Sequence, residues 1–379
     1  MPGMKILIIN SEYPPVGGGA GNASAHIARL LAGQGSEVLF LTSRYGDLPD
    51  EEVCQGVRVL RGPTRRQHAD RSTALEQVWF ILGASFRSLR LPDEFKPDVT
   101  LAFFGLPSGA AAWLLKAIRG IPYVVSLRGG DVPGFRPYDF WLYHKIAVPW
   151  LHLIWHGARA VVANSRGLYD LARAFDEKIE IAIVPNGVDA REFHPTPRDW
   201  SPPRLLSVGR VVYQKGYDVA LRALAGLKEL DWEWSIVGDG PHLPVLQQMV
   251  QEQRLESRVH FLGWMKLEEV KQEYAKANLF LHPSRHEGMP NAVLEAMATG
   301  LPVVASRIAG NEELVVQGEN GLLVPVEDSA GLRVALETLL AQPEYREAMG
   351  AAARRRIESS FGWERVAEQY QSILEEARR

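Results

Sequence analysis

Short apolar runs alternate with longer segments of helical periodicity along almost the whole chain. Runs at 4–10, 37–43, 56–62, 98–104, 122–127, 158–164 and 179–184 have strand length and are rich in Ile, Val, Leu and Phe. Between them, 21–34, 74–90, 107–119, 139–156 and 166–175 predict helices. The alternation stops near Phe193, where His194-Pro195-Thr196-Pro197 and Ser201-Pro202-Pro203 make a proline-rich connector. It then restarts, with strands expected at 204–209, 233–237, 258–262, 278–282, 302–305 and 322–325. Helices are expected at 217–229, 242–254, 267–276, 329–341 and 343–359, with an amphipathic one from 363 to 379. Strand-helix alternation of this kind predicts parallel sheets covered on both faces. The expected fold is α/β, with two Rossmann-like, doubly wound domains facing a central cleft. Their bounds are 1–193 and 204–360, followed by a helix in 361–379.

A chain of 379 residues fits about two domains. Apolar residues make up 46% and charged residues 23%, an ordinary globular composition. The net charge of −3 argues against general affinity for nucleic acid. One cysteine, Cys54, excludes an internal disulfide and fits a reducing compartment. The run Met4 to Asn10 is too short for the usual signal-peptide core. No stretch approaches the ~20 apolar residues of a membrane span, and the longest candidate, Ile146 to Trp155, contains Pro149 and His152. The expectation is a cytoplasmic protein, with peripheral contact at the inner face of a membrane left open.

The stretch from His286 to Gly300 carries the densest chemistry. It follows a strand and a Pro283-Ser284 break, so it reads as strand, tight loop, helix. Pro290 suits a first helical position, and Gly300-Leu301-Pro302 a helix stop. Glu287 and Glu295 bracket the helix start with seven residues between them, about 12 Å along a helix axis. Unpaired N–H groups at the positive end of the helix dipole lie between the two acids. That order suits a ligand with hydroxyls at both ends and a diphosphate in the middle, as in a nucleotide sugar.

Other strand ends carry matching pieces. The first loop holds Gly17, Gly18 and Gly19 before a helix, where backbone can approach a ligand closely. A dinucleotide fingerprint would need glycine where Asn22 stands, and no acid follows the second strand, so a nicotinamide cofactor is not expected. Gly209-Arg210 and Lys215-Gly216 set two cations, five positions apart, at another strand end, suited to neutralising a departing diphosphate. Arg128 and Asp131, three apart, either serve a site or simply pair with each other. His282 and His286 are separated by Pro283 and cannot share a helix. His152 and His156 could share a helical face but show no obvious third ligand, so no metal site is expected. The aromatics from Trp79 to Trp155 read mostly as core, and Arg58, Arg61, Arg65, Arg66 and Arg71 as a solvated loop. The alternative for both is a surface for a lipid-linked acceptor or an anionic membrane.

Together, Pro14 to Gly19, Pro185 to Asp189, Gly209-Arg210 with Lys215-Gly216, and Glu287-Gly288 through Glu295-Ala296 resemble the GT-B glycosyltransferases of family 4, also called group 1. The last of these is similar to that family's E-x7-E motif, and the resemblance runs over essentially the full length. It implies an acceptor-binding first domain, a nucleotide-sugar-binding second domain and a terminal helix crossing back to the first. It implies that Glu295 holds ribose hydroxyls and that Glu287 contacts the transferred sugar, beside Gly288, Met289, Pro290 and Asn291. Arg210 and Lys215, after Gly209, would bind the diphosphate as leaving group, and Gly18 and Gly19 would close on the phosphates. Many relatives carry His-Gly-x-Asp where this chain has Arg128-Gly129-Gly130-Asp131. The aspartate would then be catalytic, with Arg128 replacing a histidine near the donor. Such enzymes retain anomeric configuration without a metal ion or other cofactor. The implied reaction moves a hexose or N-acetylhexosamine from a nucleotide-sugar donor, UDP-linked before GDP-linked, to a glycan or lipid-linked acceptor. A sugar-nucleotide epimerase of the same fold and a non-catalytic nucleotide-sugar-binding protein are the alternatives.

Overall fold

The computed structural model describes residues 3–69, 72–92, 94–135, 137–199 and 201–379. They divide into two units, Met1–Asn186 with Trp363–Arg379, and Gly187–Gly362. The first unit is built on strands β1 (Lys5–Ile9), β2 (Glu37–Tyr45), β3 (Glu51–Cys54), β4 (Val57–Arg66), β5 (Val99–Phe103), β6 (Tyr123–Leu127), β7 (Ala160–Ala163) and β8 (Ile181–Ile183). Their order is β3-β4-β2-β1-β5-β6-β7-β8. Strand β1 shows why both faces need cover. Leu7 and Ile9 enter one apolar cluster while Ile6 and Ile8 enter another, the two-residue period of a strand buried on both sides. Helices α1 (Gly19–Gly33), α2 (Ala74–Leu89), α3 (Gly109–Arg119), α4 (Pro137–Gly157) and α5 (Arg166–Phe175) cover it.

All the ladders of this sheet are parallel except β3–β4, which is antiparallel. The hairpin was absent from the expected pattern. Glu51-Glu52-Val53-Cys54 is an exposed edge with little apolar signal, but Gln55 and Gly56 take positive φ values of 50° and 82°, as a tight hairpin turn requires.

The second unit holds β9 (Arg204–Val208), β10 (Glu233–Val237), β11 (Val259–Gly263), β12 (Leu279–His282), β13 (Val303–Ser306) and β14 (Gly321–Val324), in the order β11-β10-β9-β12-β13-β14. Every neighbouring pair is parallel. Helices α6 (Tyr217–Ala225), α7 (Leu243–Glu252) and α11 (Ser329–Ala341) pack on one face. Helices α8 (Leu267–Lys276), α9 (Asn291–Ala298) and α12 (Pro343–Ser360) pack on the other, and α10 (Ala309–Glu312) is a single turn. The proline-rich connector belongs to this unit. Phe193 is buried in its core, and the Arg198 guanidinium donates to the carbonyls of Ala277 and Thr299 at 2.9 and 2.6 Å.

Helix α13 (Trp363–Ala377) returns to the first unit. Trp363, Val366, Tyr370, Leu374 and Ala377 lie on one helical face and fill the cluster that holds Ile6, Ile8 and Val99. Among the described residues no helix is long and apolar enough to cross a membrane.

Candidate active site

In the second sheet the strand order turns back between β9 and β12, so the loops leaving these two strands diverge at a topological switch point, where open α/β sheets bind ligands. The loop after β9 runs through Gly209 and Arg210 to a single 3-10 turn, Tyr213–Lys215. Gly216 follows with φ +65°, and a Cβ there would stand 2.1 Å from the Pro283 carbonyl oxygen. Only glycine lets this turn press on the end of β12. The Lys215 ammonium thereby reaches the Glu287 carboxylate at 2.6 Å, both side chains largely buried. Gly209, with φ +148°, leaves room beside the Lys215 stem, 3.2 Å from where its Cβ would be. Arg210 is exposed.

Arg285 ties the two loops together. Its guanidinium donates twice to Asp218 at 2.9 Å, to the Tyr213 carbonyl at 2.5 Å and to Glu327 at 2.6 Å. It also lies 3.7 Å from the centre of the Tyr213 ring. The Arg285 backbone N–H donates to the Gln214 carbonyl, and the Gln214 side chain donates to the His286 carbonyl at 2.6 Å. Further along, Gly310 allows α10 to meet the Gly288 carbonyl, which a Cβ at 310 would approach to 2.3 Å.

Burial opposes ionisation of Glu287, but the Lys215 ammonium, together with His282 and the Ser284 hydroxyl, holds the carboxyl below its usual pKa. Beneath the pair, His282 ends β12 fully buried, with Nε2 3.8 Å from Glu287 Oε1 and no hydrogen-bond partner among the described residues. Burial and the nearby Lys215 charge depress its pKa to about 3, so the ring is neutral at ordinary pH. Met289 is buried in the core below. Pro290 is not the first helical residue that its type suggested. It precedes α9 with φ −80° and ψ 110°, because the extended loop has to clear Gly288 before the helix begins at Asn291. Pro290, the N-cap residue of α9, makes no side-chain capping bond. Glu295 lies one helical turn further in, where the Tyr274 hydroxyl donates to it at 2.9 Å and burial raises its pKa to about 7.

The first unit holds the remaining expected residues at its own strand ends. Gly18 precedes α1, its N–H donating to Glu12 at 3.3 Å, and Gly19 opens the helix. Arg128 and Asp131 follow β6 but do not pair as an ion pair. Arg128 donates to Asn186 at 2.6 Å and to the Tyr370 hydroxyl at 3.1 Å, over the Phe103 ring. Asp131 is buried and accepts three backbone N–H groups, from Gly105, Arg128 and Gly129, at 2.7 to 3.1 Å. Burial raises its pKa despite those bonds. The structure thus brings Lys215 to Glu287 in the second unit and sets Arg128 and Asp131 on one loop in the first, with Glu295 and the Gly18-Gly19 pair held by partners of their own.

Sequence reasoning missed Arg285, Asp218, Tyr274 and the role of His282 as a site residue. The signal for His282 was present: a polar residue closing an otherwise apolar strand, at its carboxyl end. Arg58, Arg61 and Arg66 of the arginine row do not form a solvated loop. Arg61 and Arg66 are buried, and Arg58 and Arg61 pair with Glu51 and Glu52 of β3 at 2.5 Å. Arg71 lies outside the described residues, as do the side chains of Arg65, Phe140 and Trp141.

Two family profiles match the chain, "Glycosyl transferases group 1" over residues 189–356 and "Glycosyl transferase 4-like domain" over 18–187. The amylovoran biosynthesis glycosyltransferase AmsK of Erwinia amylovora is 30% identical over 74% of this chain and 70% of its own. A GDP-mannose-dependent alpha-(1-6)-phosphatidylinositol monomannoside mannosyltransferase of Mycolicibacterium smegmatis is 28% identical over 94% of this chain and 95% of its own. Among solved structures, HepE of Anabaena in complex with UDP and glucose superposes with a TM-score of 0.77. That match has 22% identity and covers 98% of this chain and 99% of that one.

The raised pKa of Glu295 has a measurable sign. The folded state holds this proton up to about pH 7, while an unfolded glutamate releases it near pH 4.3. Stability therefore falls as pH rises across that window and levels off above it. In melting experiments the advantage of Glu295→Gln over the parent grows between about pH 5 and about pH 8. A difference that stays flat would contradict buried ionisation at this position.

Proposed function

The chain belongs to the group 1 glycosyltransferases, which take their sugars from nucleotide-linked donors, and on that premise we propose how its residues share the work. The reaction proposed is transfer of a hexose or N-acetylhexosamine from a UDP- or GDP-linked donor to a glycan or lipid-linked acceptor. It proceeds with retention of anomeric configuration and without a metal ion. The contact between Lys215 and Glu287 carries the reading, because it holds a cation and an anion ready beside the N-terminus of α9.

When a donor binds, the Lys215 ammonium shifts from Glu287 to the diphosphate, and Arg210 supplies a second cation from the same loop. Glu287, released, accepts a hydroxyl of the transferred sugar, while the Gly288 and Met289 amides lie toward the phosphates and Pro290 and Asn291 lead into the dipole of α9. Glu295 accepts the ribose hydroxyls in its ionised form. The acceptor hydroxyl attacks the anomeric carbon on the face that the diphosphate leaves. The carbon–phosphate-oxygen bond breaks as the new glycosidic bond forms, and the departing oxygen takes the acceptor's proton. Two cations serve the leaving group in place of a divalent ion. Asp131, with both oxygens engaged by backbone, shapes the loop that presents Arg128 instead of relaying a proton.

Both UDP and GDP remain in the proposal, since one relative is named for GDP-mannose and one structural neighbour was solved with UDP. Peripheral membrane contact is assigned to α2. Leu75, Val78, Trp79, Leu82 and Phe86 line one side of this helix, each more than half exposed, while Phe80 and Ala84 face the core. Arg87 and Arg90 sit at its end, with Arg90 over the Phe86 ring at 4.1 Å. A helix of this kind lies in the headgroup region of an anionic bilayer.

A thermal-shift panel of nucleotides and nucleotide sugars, with and without EDTA, tests the donor assignment. Stabilisation by one nucleoside diphosphate and its sugars, indifferent to EDTA, is expected; no shift with any of them removes the donor proposal. Glu287→Ala and Lys215→Ala should each lower turnover by roughly a hundredfold to a thousandfold with the fold intact, and unchanged rates would sink their roles. Sedimentation with anionic phospholipid vesicles tests α2. Trp79→Glu should cut the bound fraction several-fold, and a parent protein that stays in the supernatant refutes the membrane contact.

A further inference from the structure

Two imidazoles at the end of α4 converge on one carboxylate oxygen. His152 Nδ1 lies 2.7 Å and His156 Nε2 2.9 Å from Asp176 Oδ2, and all three atoms fall within 4.8 Å of one another. The histidines are one helical turn apart, which puts both rings on one face, and Asp176 follows α5 directly. The sequence offered the pair and the fold supplies the third group. We propose that His152, His156 and Asp176 form a binding site for a divalent transition-metal ion of the zinc type, which fastens the last turn of α4 to the turn after α5.

The donor set is two neutral nitrogens and one carboxylate oxygen, a combination that suits zinc and leaves a position for water. Zinc holds such atoms at about 2.0–2.2 Å, which spaces them roughly 3.4 Å apart around a tetrahedron. Small rotations of the two half-exposed rings reach that spacing. Each ring then carries its proton on its other nitrogen.

The surroundings are built to hold these groups. The Lys178 backbone N–H donates to Asp176 Oδ1 at 3.1 Å, which leaves Oδ2 turned to the histidines. The Phe175 ring stacks on His152 with centroids 4.4 Å apart and fixes its plane. Supporting bonds of this type orient metal ligands. The carbonyl end of α4 is close by, and a helix carboxyl terminus favours a cation. Asp176 is buried while both histidines are reachable from solvent, so an ion has an entry path. None of the three residues belongs to the transferase proposal, and the inference stands whether or not that proposal does.

The test titrates the full chain, free of any histidine tag, with Zn2+ by calorimetry and with Co2+ by visible absorption. Saturable binding of one ion, a rise of several degrees in melting temperature with Zn2+, and a cobalt spectrum of low-coordinate type are expected. His156→Ala and Asp176→Asn should each weaken binding at least tenfold, with folding of the variants checked by circular dichroism. No saturable binding by the parent, or undiminished binding by both folded variants, overturns the proposal.

Discussion

The charge of Arg285 holds the second unit's site together. A guanidinium almost wholly removed from water is tolerable only with anions and carbonyls around it, and here Asp218, Glu327 and the Tyr213 carbonyl meet that need. Those partners lie far from Arg285 in sequence, so satisfying the one charge draws the loop after β9 onto the loop after β12. Lys215 faces Glu287 as a result. Gly216 permits the same convergence by giving up a side chain where the backbones meet, and Gly310 lets α10 press on Gly288 from the other side of the loop after β12. Lys215 and Glu287 are thus brought together by a neighbouring charge that is not itself one of the pair.

Much of this was legible in the sequence. The strand–helix alternation, Glu287 and Glu295 at their spacing, and Arg210 and Lys215 at a strand end all follow from local pattern, because strand length, helix period and turn chemistry are local properties. The rest depended on distance in sequence. Arg285 reads as an ordinary loop residue until Asp218 is seen beside it. His282 gains meaning only because Lys215 and Glu287 close over it. Arg128 stood three residues from an obvious partner, yet its donors go to Asn186 and Tyr370, since Asp131 is already taken by backbone amides. Arg58 and Arg61 of β4 read as part of a solvated loop and proved to pair with Glu51 and Glu52 of the edge strand β3.

The two glutamates of the motif differ in kind. Glu287 is held ionised by an ammonium at contact distance, whereas Glu295 is paired with the Tyr274 phenol and sits near its point of half-protonation at neutral pH. Two acids on one short stretch, separated by a helix start, are thereby tuned in opposite directions by what the fold sets against them.

Helix α13 carries a consequence for how the protein is made. It fills part of the first unit's core, though it follows the whole of the second unit in the chain. During synthesis the first sheet emerges with one apolar face incompletely covered, and it waits in that state until α13 has been translated. The second unit is one continuous segment and has everything it needs sooner. The half that is made first is therefore the half that finishes folding last, and in the interval its bare sheet face is the surface on which chaperones or aggregation would act.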